Sequence, residues 1–164
     1  MSLLKLRIIP DPILREKAKK IRAVDKFILE LVENMLETMP HENGVGLAAN
    51  QVGTLNKVAV IQTPEMEEAL VLINPVILER IGERIVEEGC LSIPGYRGEL
   101  IRSETVKVRA QDARGKRYTI KADGLLAQAL EHETDHLEGT LYIDHLESKD
   151  KLYKVNTDPT DVEE

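Results

Sequence analysis

The stretch HETDH, His132 to His136, lies inside a helical stripe of mixed polar and apolar residues, Leu125, Leu126, Ala129, Leu130, Glu133, His136 and Leu137. This coincidence constrains the chain more than any other feature. Four residues on a helix advance about 400°, so both imidazoles leave one face about one turn apart and can share an ion. Asp123-Gly124 and Gly139 bound the stripe as start and stop signals. Whatever else the chain forms must pack against a helix that carries polar chemistry on its inner face. In the H-E-x-x-H arrangement the two His bind a metal, and the Glu, here Glu133, is general base toward a water the ion activates.

Two imidazoles leave a four-coordinate catalytic ion one protein ligand short. The sequence holds a single cysteine, Cys90, which excludes an intrachain disulfide. In EEGCLSIPG it stands at the end of a predicted strand, flanked by Gly89 and closed by Pro94-Gly95. A thiolate there completes a Cys-His-His set. Hydrolysis of a carbonyl at such an ion creates an oxyanion, which needs donors already aimed at it. The side-chain amide of Gln51 and the backbone N–H of Leu91 are the candidates.

With 164 residues, 42% of them hydrophobic, the chain is long enough to bury one domain's core. A formal net charge of -7 argues against nucleic acid or an anionic membrane as the main partner. The longest apolar runs are too short to span a bilayer, and MSLLKLRIIP lacks a secretory apolar segment, so a cytoplasmic or organelle-matrix location is expected. Asp25 to Met39 spaces Ile28, Leu31, Val32, Met35, Leu36 and Met39 as an amphipathic helix, which Pro40 is expected to end. KVAVIQ, LVLIN and VILERIGERIVEEG read as strands, with Asn74-Pro75 as a separator. TVKVRAQDARGKRYTIKA reads as a hairpin in which Val106, Val108 and Ala110 answer Tyr118, Ile120 and Ala122. The sheet is expected to be antiparallel or mixed. From about Ser148 the chain loses its apolar period and ends in NTDPTDVEE, which divides it into a catalytic domain over 1–147 and an acidic, flexible tail over 148–164.

GVGLAANQVG, Gly44 to Gly53, also matches the G-x-G-x-x-G/A turn of dinucleotide folds. It follows a helix rather than a strand, however, and too few residues precede the next strand to hold a crossover helix. Its glycines are better read as places where a substrate backbone approaches the chain closely.

GVGLAANQ, EGCLS and HETDH, in this order, resemble the three signature motifs of the peptide deformylases, and the likeness extends over Leu6 to Leu146, including PDPILR. That family removes the N-formyl group from the initiator methionine of new proteins. The resemblance implies an α+β fold, with mixed or antiparallel sheets packed around the central helix that bears the histidines. It implies one divalent ion on Cys90, His132 and His136, natively Fe(II), with Zn(II) possible. It makes Glu133 the base and proton shuttle, and Gln51 and Leu91 the oxyanion donors. Gly44, Val45 and Gly46 become a strand-like edge beside the bound peptide. The partners implied are N-formyl-Met nascent peptides, with transient proximity to the ribosome.

Residues three and seven positions before His132 share its face, so Ala129 and Leu125 line the wall beside the metal, where a methionine side chain would fit. Val45 is expected on the opposite wall, and Val86 either there or in ordinary core packing; the resemblance implies Glu88 at the rim, against the alternative of a surface charge at a strand end. His41 and His145 stand in polar loop contexts and are expected to face solvent. Arg97 is read as a surface residue, Arg102 equally as surface or site, and Asp135 as a neighbour of the ligands. Glu131 points about 100° away from the ligand face. The acidic end argues against a basic ribosome-docking extension, though Lys149 to Lys154 offer a short basic face. Two other readings fit H-E-x-x-H: a metalloprotease drawing its third ligand from His145 or Glu147, and a purely structural metal, which would need a fourth protein ligand.

Overall fold

The structure is a computed structural model that describes residues 2–155. Its first helix, α1 (Lys26–His41), begins where the Asp25 carboxylate accepts the Ile28 N–H at 3.0 Å, satisfying one of the orphan donors of a helix start. Ile28, Leu31, Val32, Met35 and Met39 form its buried stripe. Pro40 does not end α1 as expected but lies within its last turn. A proline forfeits only its own bond to the fourth residue back. Beyond it the ladder resumes, with Glu42 N–H on the Thr38 carbonyl at 3.0 Å.

The strands are β1 (Gly46–Ala48), β2 (Val58–Ile61), β3 (Leu70–Ile81), β4 (Arg84–Cys90), β5 (Ile93–Arg102), β6 (Thr105–Gln111), β7 (Arg117–Asp123) and β8 (Leu152–Lys154). The second helix, α2 (Gly124–Leu137), falls between β7 and β8. One sheet has the order β1-β2-β3-β6-β7 and the other β4-β5-β8, with antiparallel pairing throughout both. The α+β architecture is as expected, and the hairpin has the expected register: Val106 faces Ala122, Val108 faces Ile120 and Ala110 faces Tyr118.

All four residues of β2 are buried because both faces of that strand are covered. Val58 and Val60 pack with Ile73 against Leu31, Met35 and Met39 of α1. Ala59 and Ile61 turn the other way, joining Leu72, Val106 and Val108 against Ala127, Leu130 and Leu137 of α2. A third cluster lies under the smaller sheet, where Val86, Ile93 and Leu100 meet Leu14, Leu141 and Tyr142. The helix bearing the histidines thus has one sheet behind it and the other beside it.

Several expectations are corrected. Asn74-Pro75 does not separate two strands: β3 runs through it, with a register shift between Ile73 and Val76 and Asn74 at φ 52°. Proline is tolerated at such a bulge because no ladder bond is needed there. Asn74 is held instead by its side chain, which accepts from Ile21 N–H at 2.8 Å and donates to the Ile21 carbonyl at 2.7 Å. Conversely, VILERIGERIVEEG is not one strand. It breaks at Gly82, whose φ of +70° suits glycine, and the two halves enter different sheets. Strand β5 was not anticipated, since Pro94, Gly95 and Gly98 disguise its alternation. Nor does order end at residue 147: Leu152–Lys154 pairs with Tyr96–Gly98 as β8. Residues 156–164, the acidic end, lie outside the described residues. Among the described residues no helix is long and apolar enough to cross a membrane.

Candidate metal centre and active site

Helix α2 holds His132 and His136 one turn apart, with their Nε2 atoms separated by 3.1 Å. The last residue of β4 brings Cys90 Sγ to 3.2 Å from His136 Nε2. All three ligand atoms lie within 4.8 Å of one another. Ligands about 2.0 to 2.3 Å from a tetrahedral ion stand roughly 3.3 to 3.7 Å apart. The two edges at His136 therefore come to the spacing a divalent ion needs after shifts of a few tenths of an ångström. His145, the downstream ligand a protease would need, is turned to Asp135 at 2.8 Å instead.

The electrostatics suit a cation. His136 is fully buried, and burial holds its imidazole well below the usual pKa, so it keeps a free lone pair. Burial also opposes charge on His132. There the anionic neighbours win: the Glu133 and Glu88 carboxylates and the Cys90 thiol raise its pKa well above the ordinary value. The same negative charge around the ring favours a cation at its free nitrogen. Glu88 meets Nδ1 of His132, which fixes the ring and leaves Nε2 facing the triangle. Burial alone would raise the Glu88 pKa, but His132 and Arg102 hold it far below the carboxylate range. Arg102 reaches Glu88 through Nε at 3.0 Å and Nη2 at 2.6 Å, and Asp135 through Nη1 at 2.8 Å.

Glu133 is buried beside the triangle, and its Oε1 has no hydrogen-bond partner among the described residues. Loss of water raises its pKa to about 7 even though the His132 charge works the other way. A carboxyl near neutrality, with one free oxygen, is matched to proton transfer at physiological pH. Gln51 is fixed by the Ala48 N–H, which donates to its Oε1 at 2.9 Å. Its Nε2 is thereby aimed at Cys90 Sγ, 3.6 Å away, and at Ser92 Oγ, 3.2 Å away. Leu91 occupies the tight turn between β4 and β5, next to the thiol.

A cleft opens beside the triangle, lined by Gly44, Val45, Gly46, Leu91, Leu125 and Ala129, with Glu88, Gln128, His132 and Glu133. Val86 is not among its residues. It faces Leu100 across the strand pair and is buried in the third cluster, because two residues of strand carry it about 7 Å from Glu88. Glu88 touches the cleft, but its carboxylate is committed to His132, Arg102 and Gln128 rather than to a rim or to solvent. Arg97 is a surface residue, as expected, donating to the Glu87 carbonyl at 3.3 Å. Glu131 turns away from the ligands, as expected, and is buried against Ser103 at 2.7 Å. Gln128 was missed, although its position four residues before His132 places it on the same helix face. Nothing in the sequence singled out Ser92.

The family model described as "Polypeptide deformylase" matches residues 3–152. The chain is 51% identical over 158 residues to the peptide deformylase of Dehalococcoides mccartyi, covering 96% of this chain and 95% of that protein. It is 48% identical over 144 residues to that of Halothermothrix orenii, covering 88% and 94%. Among solved structures, the peptide deformylase of Legionella pneumophila superposes with a TM-score of 0.87 at 41% identity, covering 91% of this chain and 88% of that one. A Synechococcus elongatus peptide deformylase in complex with actinonin gives 0.86 at 40%, covering 90% and 81%. The chain belongs to the polypeptide deformylase family, metal-dependent hydrolases that remove the formyl group from the N-terminal methionine of new polypeptides.

Proposed function

We propose that Cys90, His132 and His136 hold the ion of this deformylase, that Glu133 moves the proton, and that Gln51 and the Leu91 N–H receive the oxyanion. The observation that carries the reading is the buried Glu133 carboxyl, poised at about 7 with Oε1 unpartnered, beside the Cys-His-His triangle at the foot of an apolar cleft. When bound, the divalent ion lowers the pKa of water toward neutrality and polarises the formyl carbonyl. Glu133 Oε1 accepts the proton of the attacking water and passes it to the departing amine, so formate and a free methionyl amine result. Gln51 Nε2, already oriented by Ala48, meets the charge that develops on the formyl oxygen without reorganising. The methionine side chain lies against Leu125, Ala129 and Val45, and its backbone runs beside Gly44 to Gly46.

We infer Fe(II) as the native ion, on the family resemblance, with Zn(II) as a competent substitute that the thiolate-imidazole set suits by softness. Formylated nascent chains as substrate favour a cytoplasmic enzyme that works transiently near the ribosome. Metal analysis after anaerobic purification, paired with deformylation of formyl-Met-Ala against an unformylated control, tests the assignment. Cys90→Ser is expected to lose both metal and activity; retention of both at wild-type level overturns it.

A further inference from the structure

A chain of charged side chains runs from His132 to the protein surface. Behind His132 stands Glu88, held by two donors of Arg102, whose third reaches Asp135 Oδ2 at 2.8 Å. That same oxygen is met by Nε2 of His145 at 2.8 Å. The links come from β4, β5, α2 and the short 3-10 turn Tyr142–His145. Glu88 and Arg102 are almost wholly buried, Asp135 is 19% exposed at its side chain and His145 is 38% exposed. Only the last link is in ready exchange with solvent. With His132 neutral as a metal ligand, two carboxylates share one guanidinium, which leaves the cluster one negative charge in excess unless His145 is an imidazolium. An incompletely balanced buried network is costly and loose. The other charged group beside His145 is Asp144, on its own turn, which is drawn to Arg15 at 2.5 Å.

We propose that His145 is a positioning residue for the metal ligand His132: as an imidazolium it completes the charge of the Glu88–Arg102–Asp135 cluster and thereby fixes the carboxylate that orients the ligand ring. The inference rests on the metal reading above. The hydrogen bond to Asp135 raises the His145 pKa above its ordinary value against the opposing effect of burial, so the cationic form persists into the range where histidine is ordinarily neutral. His145 contacts neither the ion's ligands nor the cleft, so its influence passes through Asp135, Arg102 and Glu88 alone.

The test compares the full chain with His145→Ala, His145→Gln and His145→Lys, reading Zn(II) affinity by chelator competition and the pH profile of formyl-Met-Ala deformylation. Removing an outer partner of a metal ligand typically weakens metal binding by ten- to a hundredfold. Because His145 lies several links further out, about three- to tenfold is expected for His145→Ala on the same scale. His145→Gln, which keeps a hydrogen bond without charge, should behave like the alanine variant. His145→Lys, which keeps a cation near Asp135, should restore affinity and flatten the neutral limb of the pH profile. If the alanine and glutamine variants lower only Tm, with Zn(II) affinity and pH profile as in the wild type, His145 is a surface contact and the proposal falls. Should one variant fail to fold, the others carry the comparison. A wild type that binds no Zn(II) overturns the metal reading itself, whereas a wild type that binds it with indifferent variants overturns only the role of His145.

Discussion

Gly46 and Glu133 face each other so closely that a Cβ on the glycine would overlap the Glu133 carboxylate. The sequence explained this glycine by the approach of a substrate backbone. In the structure it also makes room for the chain's own base. Strand β1, which Gly46 opens, lies at the edge of its sheet and against α2, so the two backbones cannot separate to admit a methyl group.

Gly46→Ala follows directly. The clashing atom is the end of a side chain, so the fold should survive while the carboxylate moves. Displacement of a catalytic group by about 1 Å costs on the order of a hundredfold. We expect kcat for formyl-Met-Ala to fall by about that factor, with a far-ultraviolet spectrum like the wild type's and a Tm within a few degrees. A variant of unchanged kcat would mean that Glu133 does not need its present position.

Arg102 is the guanidinium that holds the buried Glu88, and both side chains are about one-twentieth exposed. Removing one partner of a buried pair leaves an uncompensated charge and costs roughly 3 to 5 kcal/mol. Urea unfolding of metal-free Arg102→Ala is expected to show a loss of that size. A loss below about 1 kcal/mol, the range of surface pairs, would contradict the burial of this pair.

Ala129 lines the cleft at one helical turn from Glu133. Ala129→Leu places three more carbons where the substrate side chain is to lie. Discrimination by a methylene or two in an apolar pocket is worth about 1 to 3 kcal/mol. The expected result is a KM for formyl-Met-Ala raised at least tenfold, with a smaller change for formyl-Ala-Ala. Equal effects on both substrates would place the methionine side chain elsewhere.

Asp144 supplies the pH dependence. Burial pushes its pKa up, but Arg15 at 2.5 Å and the Leu141 N–H at 2.9 Å outweigh it, so the folded value lies below that of an ordinary aspartate. A carboxyl with a depressed folded pKa stabilises above its unfolded pKa and ceases to do so as pH falls through the folded one. Arg15→Ala should therefore lower Tm at pH 7, with the gap to wild type closing below about pH 4. The pair is partly exposed, so the difference should stay within about 1 kcal/mol. A gap that persists undiminished at pH 2 would assign the effect to packing of the arginine stem.

Much of the local structure could be read from the sequence. The α1 stripe, the β6–β7 register and the projection of His132 and His136 from one face all follow from periods of 3.6 and 2. They needed no knowledge of what packs against them. Strand β5 and strand β8 resisted for the converse reason: glycines and a proline mask the alternation of one, and the other has only three residues that gain order by pairing with Tyr96 to Gly98. Glu88 was legible as a residue near the site but not as the partner of His132, since 44 residues separate the two.

By itself, then, the sequence determined which side chains share a face within each element and, through three short motifs, the family and its reaction. The tertiary structure decided how the faces meet. It brought Cys90 to His136 across 46 residues, turned Val86 into the core rather than the cleft, and linked His132 to the surface through Glu88, Arg102, Asp135 and His145. Spacing along a chain fixes directions inside an element, whereas the distances between elements are set by the burial of their apolar faces, which no local pattern contains.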